Sequence, residues 1–376
     1  MSEQLPALIL LAPLFGALLI GLVGTRDRRA CFPVACTALL ISLGSAIGAG
    51  TRAFTGGAYN YFLGGWEEPL GIGIVLRIDG LNGVLLITIA VVALLALVFT
   101  IRPAEARDSE KSAYFYILFL LLCVGLFGIT ATGDAFNLFV LIEVSALTSY
   151  GLVAMGSSRR CKVAALHYLL MGTVGASFYL LGVGYLYLKT GSLNMQDIHT
   201  ILATNAAVSA SPGVFTAFLL ILVGIWIKMA FFPLHGWLPN AYSYCPSGSA
   251  CLLAPLMTKV SVYVMIRVML SLFGLEWVFA HPGWGDLVVW LAVIAILAGS
   301  VMALAQREIK RMLCYLIVAE VGYMVGGAWL GDPNLWGLTG AAYHILADAL
   351  MTLCLFLAAG ILFQFHGIRE IGDLGG

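Results

Sequence analysis

Six ionisable side chains lie within long apolar segments of this sequence, where they could pass a proton from one to the next. They are Glu143, Lys228, Lys259, Glu320, His344 and Asp348. On insertion scales a charged residue at the centre of a bilayer costs about 2.5–3.5 kcal/mol, so we expect these side chains to face the protein interior and to have partners. Acids, amines and imidazoles buried in series are what a proton relay needs, because burial and neighbouring charges decide whether each group holds its proton.

Each of these residues also has a simpler interpretation. A single intramembrane Lys or Glu can hold helices together through hydrogen bonds, or extend its charged head to the interface. His344 and Asp348 are spaced i, i+4 and share a helix face, which allows either a relay pair or a simple hydrogen bond that satisfies both. Because six such residues occur in separate positions, the pattern favours a relay over six unrelated structural contacts.

A helix breaker follows Lys228 in the seventh apolar segment. Pro233 cannot donate to the carbonyl of Met229 and its ring crowds that turn, so we predict a kink or break about one turn beyond Lys228. A broken helix at membrane depth is tolerated where it lines a hydrated cavity. The alternatives are a packing kink, or the end of the helix, since Pro239 and Pro246 keep the following region irregular.

Two further ionisable residues lie near these segments. His167 could be another relay member or a core hydrogen-bond donor. Arg267 is expected to extend its guanidinium towards a membrane surface.

The composition indicates that these residues belong to a membrane protein. Of the 376 residues 61% are hydrophobic and 10% are charged, whereas soluble domains carry about 25% charged residues. The formal net charge is zero, which gives no indication of a nucleic-acid partner. The eight cysteines form no CxxC pair, so we expect no metal site, no cofactor and no redox centre in this chain. The N-terminus has no basic segment before its first apolar run, which predicts a retained span rather than a signal peptide.

Eleven apolar segments approach the length of about 20 residues that a membrane-spanning helix needs, which predicts an all-α polytopic protein. They cover residues 5–24, 31–50, 81–101, 113–131, 136–156, 162–188, 213–234, 247–274, 285–305, 310–331 and 335–365.

Lysine and arginine are distributed unequally between the loops on the two sides of these segments. Alternate loops hold thirteen of them: Arg26, Arg28, Arg29, Arg102, Arg107, Lys111, Arg159, Arg160, Lys162, Arg307, Lys310, Arg311 and Arg369. The other loops hold three: Arg52, Arg77 and Lys189. By the positive-inside rule the N-terminus is outside and the C-terminus cytoplasmic.

Several long stretches resemble the antiporter-like subunits of proton-pumping membrane complexes. They read "GDAFNLFVLIEVSALTSYGLVA", "GYLYLKTGSLNMQDI", "KMAFFPLHGWLPNAYSYCPSGSACLLAPLMTKVSVYVMIRV" and "QREIKRMLCYLIVAEVGYM". That family includes the pumping subunits of respiratory complex I, the Mrp-type Na⁺/H⁺ antiporters and the membrane-bound hydrogenases, and the sequence is most similar to the Mrp D-type subunit. The resemblance covers roughly residues 110–375.

The resemblance implies inverted five-helix repeats, each with a broken helix. It divides the chain into three peripheral helices (1–110), a first repeat of helices 4–8 (111–275) and an incomplete second repeat of helices 9–11 (276–376). The incomplete repeat suggests a fragment, one half of a split protein, or a chain that lacks the usual exit for the ion. It also implies that Glu143 pairs with Lys228, that Lys259 carries the proton towards the middle, and that Pro233 lies at the helix break. The partners it implies are other membrane subunits in a bacterial or archaeal inner membrane.

The sequence departs from the family pattern at the centre of the relay. Where relatives show YHxxxHAxxK, this chain has "YHILADALMT", so His344 remains while Asp348 and Thr352 replace a histidine and a lysine. Glu320 stands where many relatives carry an amide. The relay could therefore run on carboxylates, carry Na⁺, or be interrupted.

Three functions remain open on the sequence alone. The chain is a subunit that translocates H⁺ or Na⁺, a structural antiporter-like subunit that does not conduct, or an enzyme with its own redox centre. The retention of Glu143, Lys228 and Lys259 together favours the first, because a scaffold needs none of them. No dinucleotide fingerprint or cysteine ligand set supports the third.

Overall fold

The computed structural model describes residues 4–24, 26–65, 73–100, 111–156, 158–281, 283–331 and 334–375. Within these ranges, ten helices are long and apolar enough to cross a membrane, and one shorter apolar helix accompanies them. We number the eleven in chain order: α1 Leu5–Val23, α2 Cys31–Gly56, α3 Gly80–Phe99, α4 Ser112–Ala131, α5 Ala135–Ala154, α6 Arg159–Thr190, α7 Pro212–Lys228, α8 Ser247–Arg267, α9 Trp284–Leu304, α10 Ile309–Trp329 and α11 Trp336–His366. The predicted all-helical membrane fold is thus confirmed.

Two of the segments between these helices, 57–79 and 191–211, are longer than twenty residues, and several segments have their own structure. An antiparallel hairpin of β1 (Tyr59–Phe62) and β2 (Val75–Ile78) joins α2 to α3, with Tyr59 opposite Ile78. The remaining short helices are Arg28–Ala30, Leu63–Gly65, Met195–Thr204, Ala206–Ser209, Leu238–Tyr244, Leu275–Phe279 and Ile371–Leu374, and α8 continues through a π-helical turn at Val268–Phe273.

Side-chain caps explain where three of the spans begin. Asp79 accepts a hydrogen bond from the amide of Asn82, and the Asn82 side chain accepts one from the Asp79 amide, which closes a capping box at the start of α3. Asp134 and Ser158 cap α5 and α6 in the same manner, each accepting from an amide three residues on. These caps satisfy amides that have no partner inside the helix.

Helix α8 lies at the centre of the bundle. It packs against α3, α4, α7, α10 and α11. Of the ten long spans in the described part of the chain, α8 is the most completely buried and α9 the least. A charged residue on α8 must therefore find its partners within the protein.

Contacts between loops divide them into two ends of the bundle. At one end β2 and the segment before Met195 both bridge to the α4–α5 loop, through Leu76 to Thr132 and Asp134 to Asn194. At the other end Glu308 bridges to Glu370. We call this second end the basic end, since it carries the Arg- and Lys-rich loops; it is formed by residues 26–30, 155–156, 158–160, 244–247, 305–310 and 367–375. Arg102 and Arg107 of the predicted basic loops lie outside the described residues.

Glycines let α6 and α7 approach closely. A Cβ atom at Gly224 of α7 would lie 2.6 Å from the carbonyl oxygen of Gly175 and 2.8 Å from the amide nitrogen of Tyr179, both on α6. No such restriction applies at Gly184 of α6, where a Cβ atom would meet nothing within 4 Å. The site of Lys228 at the end of α7 therefore depends on a backbone contact that only glycine permits.

We predict that Gly224→Ala destabilises the bundle by about 1–3 kcal/mol, because the added methyl group must push two backbones apart. Gly184→Ala on α6 is the matched control and should not lower stability, because its methyl group meets nothing within 4 Å and alanine is favoured over glycine inside a helix. Thermal unfolding of the two variants in detergent measures the difference. Equal unfolding temperatures for both variants would contradict the prediction, because they would show that α6 and α7 move apart without loss of stability.

Candidate functional site

Two of the predicted residues form an ion pair between α5 and α7. Lys228 is the last residue of α7, and Glu143 lies near the middle of α5. The Lys228 Nζ is 3.3 Å from Glu143 Oε1, and the two side chains are 11% and 27% exposed. The pair is therefore neither sealed in the core nor freely solvated.

The structure corrects the predicted position of the helix break. Helix α7 ends at Lys228 itself, and residues 229–237 are not helical, whereas the sequence predicted a break about one turn later. The reason lies before Pro233: Ala230 has a φ of 56°, in the left-handed region, which a right-handed helix cannot accommodate. Pro233 lies within this non-helical segment, and the Trp237 Nε1 donates to the carbonyl of Ile227 at 3.0 Å. Lys228 is thus at a helix end rather than within a helix.

Lys259 forms a second cluster with residues of α10 and α11. Its Nζ lies 2.9 Å from Asp348 Oδ2 and donates to Thr352 Oγ1 at 3.1 Å. Thr352 in turn donates to Asp348 Oδ1 at 2.8 Å, and Glu320 Oε2 is 4.0 Å from the ammonium. We call Lys259, Asp348, Thr352 and Glu320 the central cluster.

Burial distinguishes the members of the central cluster. The side chains of Lys259 and Asp348 are 1% and 0% exposed, whereas that of Glu320 is 24% exposed. Two carboxylates share one ammonium, so the fully ionised cluster carries a net negative charge. In surroundings of low dielectric such an excess is costly unless a proton or a cation compensates it. The cluster therefore contains one more carboxylate than its single ammonium can neutralise.

His344 lies on the same face of α11 but outside the central cluster. Its Nε2 is buried and has no hydrogen-bond partner in the described part of the chain, and its ring is 6.3 Å from that of Tyr323. The hydrogen bond between His344 and Asp348 that the spacing allowed is absent from these residues, because the Asp348 carboxylate is directed at Lys259 and Thr352.

A small cavity borders Lys228 and separates it from α8. Its volume is about 30 Å³, and besides apolar side chains it is lined by Ser145, Tyr168 and Ser261. By this measure a cavity needs only about 10–15 Å³ to hold a water molecule, so there is room for at least one. No hydrogen bond or ion pair between described residues joins Lys228 to the central cluster. The two groups are therefore separate in this conformation, with a water-sized space beside one of them.

The part that Thr352 plays was not foreseen from the sequence. There it was interpreted only as the loss of a lysine, but its hydroxyl links Lys259 to Asp348. The sequence contained the pattern that indicates this contact, since Thr352 follows Asp348 by four residues and must share its helix face.

His167 lies on the exposed face of α6, so it is not the core hydrogen-bond donor that was one of its two interpretations.

Arg267 lies at the end of α8 that is opposite the basic end, and its guanidinium is paired there, which the sequence did not predict. Its guanidinium forms two hydrogen bonds with Asp79, at 2.6 Å and 3.1 Å, and its Nε donates to Tyr263 Oη at 2.9 Å. Asp79 lies just before α3. Burial by itself would raise the pKa of the Asp79 carboxyl, but the hydrogen bonds and charge of Arg267 hold that pKa below its usual value. No local pattern could reveal this pair, because its members are 188 residues apart.

Known proteins resemble this chain along its length. Residues 132–376 match the family model described as NADH:quinone oxidoreductase/Mrp antiporter, TM. The N subunit of the NADH-quinone oxidoreductase of Desulforudis audaxviator is 43% identical over the whole of this chain and 73% of that protein. The D subunit of the Na(+)/H(+) antiporter of Bacillus subtilis is 32% identical over 98% of this chain and 72% of its own length.

Two solved structures share the fold. A chain of the membrane-bound sulfane sulfur reductase, an archaeal respiratory membrane complex, superposes with a TM-score of 0.89 at 28% identity, covering 99% of this chain and 74% of that one. A chain of the Mrp complex from Dietzia sp. superposes with a TM-score of 0.88 at 25% identity, covering 99% of this chain and 67% of that one. The resemblance to the antiporter-like family is thus confirmed. The expectation that the Mrp D-type subunit is the most similar was wrong, because the respiratory N subunit is 43% identical and the antiporter D subunit 32%.

We predict that Asp79→Asn lowers the stability of the bundle, because it leaves the Arg267 guanidinium without its counter-charge. Breaking one side of a buried ion pair costs about 3–5 kcal/mol, and partial exposure should place this pair at the lower end. Since the Asp79 pKa is depressed, the stabilisation is present above the unfolded pKa and is lost as the pH falls through the folded one. Thermal unfolding at neutral and acid pH measures both effects. Glu276→Gln, an exposed carboxyl at the same end, should change neither, and equal behaviour of the two variants would contradict the prediction.

Proposed function

This antiporter-like membrane subunit belongs to the NADH:quinone oxidoreductase/Mrp antiporter transmembrane family, and we propose that it moves protons through the Glu143–Lys228 pair and the central cluster. The observation that carries the proposal is the presence of two groups of ionisable side chains on α5, α7, α8, α10 and α11. Its relatives are named as subunits of respiratory or Mrp-type complexes. We therefore place this chain in a complex with other membrane subunits.

The first step takes place at the Glu143–Lys228 pair. The carboxylate at 3.3 Å stabilises the charged ammonium, so the close pair retains the proton on Lys228. When the two side chains separate, the charged form loses that support and the proton can leave. The end of α7 at Lys228 gives the side chain freedom to make this movement, because no following helical turn constrains it.

The second step crosses the cavity between Lys228 and α8. The cavity of about 30 Å³ has room for a water molecule, and Ser145 and Ser261 supply hydroxyl groups in its wall. A water molecule there accepts the proton and passes it to Ser261 on α8. Lys259 lies on a different face of α8 and does not line the cavity, so the transfer from Ser261 to Lys259 needs a further water molecule or a movement of side chains. Water that enters this mostly apolar cavity opens the path for the proton between Lys228 and α8, and water that leaves it closes the path.

In the central cluster, we assign the exchangeable proton to Glu320. Lys259 is held by Asp348 and Thr352 in the core, whereas the Glu320 carboxyl is 4.0 Å from the ammonium and partly exposed. Glu320 can therefore exchange a proton with water or with a neighbouring subunit. The ammonium already occupies the place of a cation between the two carboxylates, which favours H⁺ over Na⁺ as the ion.

The orientation of the chain follows from its basic end. We place that end in the cytoplasm of a cell with the N-terminus outside and the C-terminus inside, as the positive-inside rule predicts. The membrane is the cell (inner) membrane, in keeping with bacterial relatives such as the Bacillus subtilis protein.

A structural subunit that does not conduct is the second candidate. One observation favours it: in the described part of the chain, no hydrogen bond or ion pair connects the Glu143–Lys228 pair with the central cluster, and His344 Nε2 has no partner. If the cavity beside Lys228 never holds water, no proton crosses it. The contacts in the structure are then those of a scaffold subunit. Transport measurements separate the two candidates.

We predict that Lys228→Ala and Glu143→Ala each reduce ion translocation at least tenfold in inverted vesicles that contain the assembled complex. The lysine variant removes the carrier, and the glutamate variant removes the charge that holds its proton. Assembly is checked on native gels, and Lys162→Ala, on the exposed face of α6, serves as the control. If both variants assemble and transport is unchanged, the proposed relay is wrong and the chain is a structural subunit. Comparison of H⁺ and Na⁺ gradients identifies the ion.

We predict that Glu320→Gln abolishes translocation while the complex still assembles, because the amide keeps the size of the side chain but cannot release a proton. Glu320→Asp retains an ionisable carboxyl and should keep a measurable part of the activity. The same vesicle assay compares the two variants. Full activity in Glu320→Gln would show that Lys259 and Asp348 suffice.

A further inference from the structure

A cavity of about 380 Å³ lies at the basic end, between the ends of α6, α8, α10 and α11. None of the residues assigned above to the relay lines its wall. Its wall contains Arg160, Lys310, Arg369, Glu308, Ser243 and Phe363. It is more than ten times the volume of the cavity beside Lys228.

Three helices begin at this cavity. The residues that precede α6, α8 and α10 are Ser158, Pro246 and Glu308, and all three line its wall. Each helix N-terminus carries the equivalent of about half a positive charge. The C-terminus of α11 also reaches the cavity, but its carbonyls at Leu362 and Phe363 already accept from the amides of Ile368 and Gly367.

The charged side chains around the cavity add to this positive field. Arg160, Lys310 and Arg369 contribute three positive charges, and Glu308 contributes one negative charge. Among the described residues, neither Arg160 nor Arg369 has a carboxylate within ion-pair distance. Their guanidinium carbons lie over aromatic rings instead, 5.8 Å from the centroid of Tyr244 and 4.4 Å from that of Phe363. Both guanidinium groups thus keep N–H donors for a further acceptor.

Polar side chains form part of the cavity wall, and a hydrogen bond fixes one of them. Lys310 Nζ donates to Ser247 Oγ at 2.9 Å and lies 5.2 Å from the Phe363 ring. The Ser243 hydroxyl is buried and has no hydrogen-bond partner among the described residues. Ala359 and Phe363 of α11 give one apolar wall. A ligand that fits this wall needs an anionic head beside a less polar body.

We propose that this cavity binds a phosphate group, of the kind carried by an anionic membrane phospholipid. Arginine guanidinium groups bind phosphate oxygens in a bidentate manner, and helix N-termini favour the same anion through their positive field. The first amide of α10, at Ile309, donates to the Arg369 carbonyl and that of Cys161 in α6 to Ser158, whereas α8 has no side-chain cap. Basic pockets between membrane helices at the cytoplasmic side bind phospholipid head groups for the same reason. On α11 the neighbouring side chains Ile361 and Phe365 are exposed, so acyl chains can lie beside the cavity. The site does not depend on the proton relay.

Retention of phospholipid by the purified complex tests the proposal. The complex is extracted in mild detergent, and bound phosphatidylglycerol is counted by mass spectrometry. The double variant Arg160→Gln/Arg369→Gln should retain at least fivefold less than the unmodified complex. The control Arg159→Gln/Arg29→Gln removes the same charge from exposed positions of the basic end and should retain the normal amount. Equal retention in both double variants overturns the proposal.

A second variant and a second ligand complete the test. Arg160→Lys/Arg369→Lys keeps the charge but not the bidentate geometry, so it should retain an intermediate amount and also shows whether loss reflects misfolding. Inorganic phosphate is added to the delipidated complex, and its binding is measured by equilibrium dialysis. Binding that phosphatidylglycerol displaces supports a lipid source, whereas binding that the lipid leaves unchanged supports a free phosphate. If neither phosphate nor phosphatidylglycerol binds to the unmodified complex, the cavity is not a phosphate site.

Discussion

The structure depends on the burial of one ammonium group out of reach of solvent. Lys259 lies on the most buried of the described long spans, and its side chain is 1% exposed. Because solvent does not reach it, its three donors must be satisfied by the protein. Asp348 and Thr352 of α11 meet this need together with the Ala254 carbonyl of α8 itself, and Glu320 of α10 adds a more distant negative charge at 4.0 Å. These contacts hold α8 against α11 and place α10 beside them.

The Glu143–Lys228 pair is held less tightly than the central cluster, and the difference has a local cause. Helix α7 ends at Lys228, because the backbone at Ala230 turns into the left-handed region. The lysine therefore stands at the end of an element and beside a cavity, with one partner at 3.3 Å. A weakly constrained pair next to a rigid cluster suits a function in which one member must change its contacts.

The arginine side chains at the two ends of the bundle have different partners. At the end opposite the basic end, Arg267 is neutralised by Asp79 through two hydrogen bonds. At the basic end, the N-termini of α6, α8 and α10 meet around Arg160 and Arg369, which have no carboxylate partner among the described residues. The first end thus holds an internal ion pair beside Arg52 and Arg77, which contact Tyr59 and Gln196 instead of a carboxylate. At the basic end Arg160 and Arg369 lie over aromatic rings, and this is the positive charge on which the proposed phosphate site depends.

The sequence by itself determined the membrane class, the eleven helical segments and the ionisable residues inside them. Hydropathy and the cost of buried charge are properties of single residues and short segments, so they can be read locally. The i, i+4 spacing also placed Asp348 and Thr352 on one face of α11. Family resemblance, not spacing, supplied the pairing of Glu143 with Lys228.

Only the tertiary structure decided which charges meet. Lys259 and Asp348, and Arg267 and Asp79, belong to segments far apart in the chain, and nothing local relates their positions. The end of α7 at Lys228 was also beyond the sequence, since Pro233 marked a break but not the left-handed residue before it. These features depend on how helices pack, and packing is settled by long-range contacts that short-range patterns do not contain.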